Sequence, residues 1–280
     1  MHADAFFAIG KAHMVCQDYA RAGIVTGPMF GERACAVISD GCSTSPDTDV
    51  GARLLTLAGI RAVNHAGGDR LQHEGPLIAA CAQDLLCGHL QSRALDATLL
   101  VVHEADGIGL DGDIPSVQVV AWGDGVIFAV RTSGEVWTWE LDHGGMPAYL
   151  SYLLDAQRGA EYDKRNPGRR IIGCRQQGGT IDDYTMPPHE RVCTRRFSMG
   201  WSLVGVASDG LMSFRDKATH APIPLAEVIK HVVDIRVKRG AFIQRSSKFF
   251  LEKTCAKLGW EHTDDYAVAA INLTPTEGGG

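Results

Sequence analysis

Four times along this chain a β-rich, apolar run meets an acidic residue at one end. Ala36-Val-Ile-Ser39 runs into Asp40-Gly41, and Val117–Trp122 runs into Gly123-Asp124-Gly125. Trp201–Ala207 ends in Ser208-Asp209-Gly210, and Asp264-Asp265 opens Tyr266–Ile271. Short apolar runs bounded by turn residues read as buried strands. A fold that lays such strands side by side gathers carboxylates from distant parts of the chain at the ends of its sheets. Short, rigid aspartates of that kind suit an oxygen-rich site for magnesium or manganese. Taken singly, each Asp-Gly is only a turn signal; the four together suggest one assembled site.

The intervening sequence alternates strand and helix patterns without an internal repeat. Phe6–Gly10 and Cys35–Ser39 read as strands, and apolar residues at helical spacing from Asp49 to Ala66 predict a helix capped by Asp47 or Thr48. A second helix is expected over Pro76–Leu90. Ala97–His103, Ser116–Trp122, Val126–Thr132 and Glu135–Leu141 then read as an antiparallel meander with a turn at Thr132-Ser-Gly134. Helices at Leu225–Arg239 and Lys248–Leu258 and a strand at Tyr266–Leu273 close the pattern. Strands in a central block with helices before and after them predict an α+β fold rather than a doubly wound parallel sheet. Between Asp155 and Arg191 the sequence turns polar, with Arg158, Lys164, Arg165, Arg169 and Arg170 close together, and reads as a surface excursion. Its length and polarity make it the candidate for substrate selection; a solvated basic face is the plainer reading.

At 280 residues and 45% hydrophobic the chain can bury a full core in one domain, 1–280. A net charge of −6 argues against nucleic acid or an anionic membrane as the main partner. No apolar run approaches the roughly 20 residues of a membrane span, and the first residues lack the basic and apolar regions of a secretory signal. The expectation is a cytoplasmic monomer whose eight cysteines are reduced thiols. No C-x-x-C pair is present. His73, Cys81, Cys87 and His89 are too irregularly spaced for a zinc site, and Cys81 and Cys87 read as helix packing.

The ordered set Gln17-Asp18, Ser39-Asp40-Gly41 followed by Val50-Gly51-Ala52, Asp96-Ala-Thr98, Gly123-Asp124, Ser208-Asp209-Gly210 and Asp264-Asp265 resembles the metal-dependent type 2C serine/threonine protein phosphatase family. The likeness runs from about Phe6 to Leu273. Gly10-Lys-Ala-His13 leading to Cys16-Gln-Asp18, with Asp40–Ser45 ahead of Gly51-Ala-Arg53, is similar to the divergent bacterial branch. The resemblance implies a four-layer αββα fold, a central antiparallel β-sandwich with helices on both sides. It implies hydrolysis of phosphoserine and phosphothreonine in protein substrates by a water or hydroxide that two divalent cations, Mn2+ or Mg2+, share. By the same resemblance Asp40 bridges the two ions with the Gly41 carbonyl on one of them, Asp209 and Asp264 complete the second ion's coordination shell, and Asp18 acts through water. Asp124 matches a residue that joins a third, weaker metal, and His13 stands where many members carry a phosphate-binding arginine.

Four positions depart from that pattern. His13 replaces the arginine, Gln17 a glutamate, Cys42 a histidine that animal members carry, and Ser213 an aspartate. A neutral or protonated His13 holds phosphate less firmly than a bidentate arginine would. Cys16 and Cys42 lie two residues from Asp18 and Asp40, so both thiols are candidates for redox-active groups beside the metals, with plain packing as the alternative. A noncatalytic binding protein with the phosphatase fold and a metal hydrolase of small phosphoesters remain as alternative functions.

Overall fold

The computed structural model describes residues 1–27, 31–66, 68–105, 116–166, 168–175, 179–187, 190–235 and 239–274. In chain order the strands and helices are β1 (His2–Ala8), β2 (Asp18–Gly27), β3 (Gly31–Asp40), α1 (Thr48–Ala66), α2 (Gly75–Leu85), β4 (Leu99–Glu104), β5 (Val117–Trp122), β6 (Gly125–Arg131) and β7 (Val136–Asp142). They continue with α3 (Ala156–Arg165), β8 (Arg169–Arg175), β9 (Thr180–Met186), β10 (Val192–Phe197), β11 (Trp201–Ala207), β12 (Arg215–Asp216) and α4 (Leu225–Val232). The last elements are α5 (Phe242–Phe249), α6 (Cys255–Leu258), β13 (Trp260–Glu261) and β14 (Tyr266–Asn272).

Two antiparallel sheets carry the fold. One has seven strands in the order β1-β14-β11-β6-β7-β8-β9, the other five in the order β10-β5-β4-β3-β2. Side chains alternate across a strand, so each central strand feeds two cores at once. In β3, Ala34, Ala36 and Ile38 face the seven-stranded sheet, while Cys35 and Val37 meet Leu55 and Ala58 of α1 and Ile78 and Ala82 of α2. In β14, Ala267, Ala269 and Ile271 enter the layer between the sheets, and Tyr266, Val268 and Ala270 pack beside Val228 and Ile229 of α4 and Phe242 of α5. The result is helix, sheet, sheet, helix, the α+β sandwich that the sequence pattern and the resemblance both imply. Among the described residues no helix is long and apolar enough to cross a membrane.

Several boundaries differ from expectation. The second helix stops at Leu85 rather than Leu90, and Cys87 and Gly88 follow with positive φ, which takes the chain out of helical conformation. The helix expected over Leu225–Arg239 ends at Val232; positions 236–238 lie outside the described residues. The one expected from Lys248 begins earlier, at Phe242, and contains a π-turn over Phe250–Thr254.

Within the segment 155–191, expected as a polar surface excursion, lie α3 and the hairpin β8–β9, which extends the seven-stranded sheet at its edge. Its basic run is neither uniformly solvated nor free: Arg169 is only 2% exposed, Arg158 pairs with Asp96, and Arg170 pairs with Asp183. Charged side chains on an edge hairpin hide its strand character from a reading that looks for apolar alternation.

Candidate active site

Antiparallel pairing closes the distances that separate the acidic residues in sequence. In the β2–β3 hairpin Asp18 stands directly opposite Asp40. The chain crosses from β5 in the five-stranded sheet to β6 in the seven-stranded one at Gly123-Asp124, between Trp122 and Gly125. β11 and β14 are paired neighbours, so the turn after β11, with Asp209, lies beside the entry to β14, with Asp264 and Asp265. Gly210 is packed against that entry so tightly that a Cβ there would lie 1.7 Å from the Asp265 carbonyl oxygen.

All seven residues singled out from the sequence, His13, Asp18, Asp40, Gly41, Asp124, Asp209 and Asp264, line one cavity of about 320 Å3. Gln17, Cys42, Ser43, Thr44, Thr98, Tyr149 and Asp265 are among its other walls, and the lining contains neither lysine nor arginine. Cys16 is not part of the lining, so of the two thiols only Cys42 borders the cavity. Burial pushes Cys16 up to about 12, helped by the charges of Asp265 and Asp18. Burial also pushes Cys42 upward, but hydrogen bonds from Thr44, Tyr149 and Ser45 outweigh it and leave that thiol below its ordinary value.

The acidic side chains are held individually. Ser208 donates to Asp18 Oδ2 at 2.5 Å and itself accepts from the Ala267 amide at 2.9 Å, linking the two sheets through one hydroxyl. The Asp40 backbone is gripped at both ends by Thr98, whose Oγ1 accepts from the Asp40 amide at 3.1 Å and whose amide donates to the Asp40 carbonyl at 2.8 Å. Asp96, 3% exposed, supports the next turn: it accepts from Ser45 Oγ at 2.7 Å and Ser151 Oγ at 2.6 Å, and from Arg158 at 2.8 and 2.9 Å. Its carbonyl takes the Cys42 amide at 2.8 Å.

Asp265 is the residue that the sequence pattern underrated. Asp264 is half exposed, whereas the Asp265 side chain is 2% exposed and receives the Gly10 and Gln17 amides at 2.7 Å each and His13 Nδ1 at 2.9 Å. The hydrogen bond to Asp265 raises the His13 pKa against the opposing effect of burial, and Asp264, 3.4 Å from Nε2, adds to the rise. The signal in the sequence is the doubled Asp264-Asp265: both residues border the cavity, and the second also anchors the loop before Asp18. Ser213 Oγ accepts from the Asp264 amide at 3.3 Å.

Crowding of like charges sets the electrostatics. Burial raises Asp18 to about 7, and the charges of Asp209 and Asp265 add to the rise while hydrogen bonds from Asp40 and Ser208 oppose it. Asp40 is raised well above the carboxylate range by burial and then by the neighbouring charges of Asp18 and Asp209. Burial and the Asp209 charge raise Asp124 to about 7, partly countered by Arg169. Burial and Asp209 also raise Asp264. Like charges this close, buried together, each disfavour the other's ionised form.

This donor set fits a hard divalent cation: oxygen ligands with surplus negative charge and no basic side chain in the lining to neutralise them. Among the described residues, no three His, Cys, Asp or Glu side chains stand in a ready coordination group.

No protein-family model matches the sequence, and no curated protein matches it. Its fold does match solved structures. A serine/threonine phosphatase of S. agalactiae aligns over 96% of this chain and 98% of its own, with a TM-score of 0.55 at 14% identity. The serine/threonine phosphatase Stp1 from Staphylococcus aureus aligns over 99% and 95%, with a TM-score of 0.52 at 16% identity. The PP2C phosphatase domain of the cell fate determinant SpoIIE from Bacillus subtilis aligns over 96% of this chain and 62% of that one, with a TM-score of 0.50 at 12% identity. The chain therefore has the architecture of the bacterial type 2C serine/threonine phosphatases.

Proposed function

We propose that this protein is a metal-dependent phosphoprotein phosphatase acting on phosphoserine and phosphothreonine, its sandwich and flanking helices forming one catalytic domain. The observation that carries the reading is convergence: seven residues chosen from motif order alone, drawn from five separate stretches of chain, line a single cavity. The fold shared with serine/threonine phosphatases supports it independently.

In this reading Asp40, the Gly41 carbonyl, Asp209 and Asp264 hold two Mn2+ or Mg2+ ions, Asp18 acts through water, and Asp124 serves a third, weaker ion. Bound there, the ions supply activation of water at neutral pH and charge neutralisation on the phosphoryl oxygens, so no protein nucleophile is required. The chain's own contribution is positioning. Thr98 fixes Asp40 through its backbone, Ser208 orients Asp18, and Asp265 orients His13, whose ring lines the cavity and offers a donor to a phosphoryl oxygen. Fixed dipoles and fixed ligands need no rearrangement as charge develops on the transferred group.

The test is manganese-dependent release of phosphate from a phosphothreonine peptide, abolished in Asp40→Ala and Asp209→Ala. A thermal melt supplies a readout independent of activity: manganese should raise the Tm of the wild type and not that of either variant. A fold-only binding protein would show no turnover of any phosphoester, and that result refutes both enzyme readings. A small-molecule hydrolase would prefer small phosphoesters to phosphopeptides by kcat/KM.

A further inference from the structure

The loop between β1 and β2 presents apolar side chains to solvent beside the cavity. Ile9 is 46% exposed, Met14 96% and Val15 56%. Single exposed apolar residues are common, but three within seven positions concentrate poorly solvated side chains on one loop, Met14 and Val15 as direct neighbours. This loop is also firmly built. Both oxygens of the buried Asp265 carboxylate hold it, through Gly10, His13 and Gln17, and the Ala12 amide donates to the Thr263 carbonyl at 3.0 Å. At Gly10 the backbone lies so close to its neighbour that a Cβ would stand 2.2 Å from the Asp264 carbonyl carbon. Met14 and Val15 are therefore held out from a fixed frame, and the residue immediately before them, His13, is itself a wall of the cavity.

Resting on the phosphatase reading, we propose that Met14 and Val15 form a docking lip for substrate, selecting phosphoproteins with an apolar side chain one or two residues from the phosphorylated one. A phosphoresidue reaching the acidic cavity carries its neighbours across the rim, and consecutive residues advance by at most about 3.6 Å. A neighbour one or two positions away thus spans the distance scale of the step from His13 to Met14 and Val15. An apolar neighbour is desolvated against Met14 and Val15; a charged one would lose hydration there without a partner. Methionine, long and unbranched, adapts to different apolar shapes, so the lip selects a chemical class rather than one sequence.

The experiment compares Met14→Ser/Val15→Ser with the wild type on three substrates in manganese: nitrophenyl phosphate, a phosphothreonine peptide flanked by leucines, and the same peptide flanked by glutamates. The wild type should favour the leucine peptide by about tenfold in kcat/KM, the scale of a modest apolar contact. The double variant should lose most of that preference through KM, with nitrophenyl phosphate turnover unchanged as evidence of an intact fold and cavity. A wild type that hydrolyses nitrophenyl phosphate but treats both peptides alike overturns the lip alone. So does a variant that keeps the preference. A wild type inert toward all three substrates overturns the phosphatase reading and the lip with it.

Discussion

Replacing Asp124 with asparagine should make the metal-free protein more stable at pH 8, by an amount that the geometry of the β5–β6 turn sets. Asp124 is confined beside Asp209, and burial followed by that charge raises its pKa to about 7. In an unfolded chain an aspartate ionises near ~3.9. Between those values the folded state binds more protons than the unfolded one, so this group's contribution is fully present below about pH 4 and is lost as pH rises through about 7. At roughly 1.4 kcal/mol per pH unit, the loss amounts to about 4 kcal/mol by pH 8 and about 1.5 kcal/mol at pH 5. Asparagine keeps the shape and never ionises, so Asp124→Asn should gain close to those amounts over the wild type. Urea unfolding in excess chelator at the two pH values measures both gains, with an unchanged m-value as the sign that the unfolded states match. An equal gain at pH 5 and pH 8, or a loss at pH 8, would refute the account of Asp124 as a strained, buried acid.

Other expectations concern the supports around the cavity. Arg158→Ala removes both guanidinium bonds from the buried Asp96 and should cost about 2 kcal/mol in urea unfolding, below the usual cost of breaking a buried pair because Arg158 is about a quarter exposed. Arg158→Lys should recover less than half of that, since an ammonium cannot reproduce the two-point contact. At pH 8 in chelator, iodoacetamide should alkylate Cys42 at least about tenfold faster than Cys16, as read by peptide mapping, because burial and nearby carboxylates hold the Cys16 thiol protonated. The reverse order would contradict the hydrogen bonding assigned to Cys42.

The sandwich and the positions of Asp40, Asp124, Asp209 and Asp264 were legible because each of these lies at one end of a largely apolar strand. Ala36, Val37 and Ile38 announce β3 wherever it packs, and Asp40 follows at its end. What stayed hidden was decided by tertiary partners. β2, with Arg21 exposed and Gly23 and Thr26 interspersed, has a weak apolar signal and becomes a strand through its ten-residue pairing with β3. β8 and β9 looked like a loop because their charges meet partners elsewhere: Arg169 turns inward to His143 and to the Arg191 carbonyl, and Asp182 receives Trp139 and Arg195. Asp265 could not be told from Asp264 by residue type, since only the fold buries one against the backbone of residues 10–17 and leaves the other half exposed. Cys16 and Cys42 looked equivalent by spacing, yet one lines the cavity and the other does not.

The hydroxyl of Ser208 has a consequence for the order of assembly. It joins Asp18, near one end of the chain, to the Ala267 amide, near the other, at sequence separations of 190 and 59 respectively. β14 lies between β1 and β11, so until that strand inserts, β1 has no partner in its sheet. Contacts of such long range form late, after much chain entropy has been surrendered. A growing chain thus carries scattered aspartates, and the acidic cavity they line is complete only when β14 slides into place.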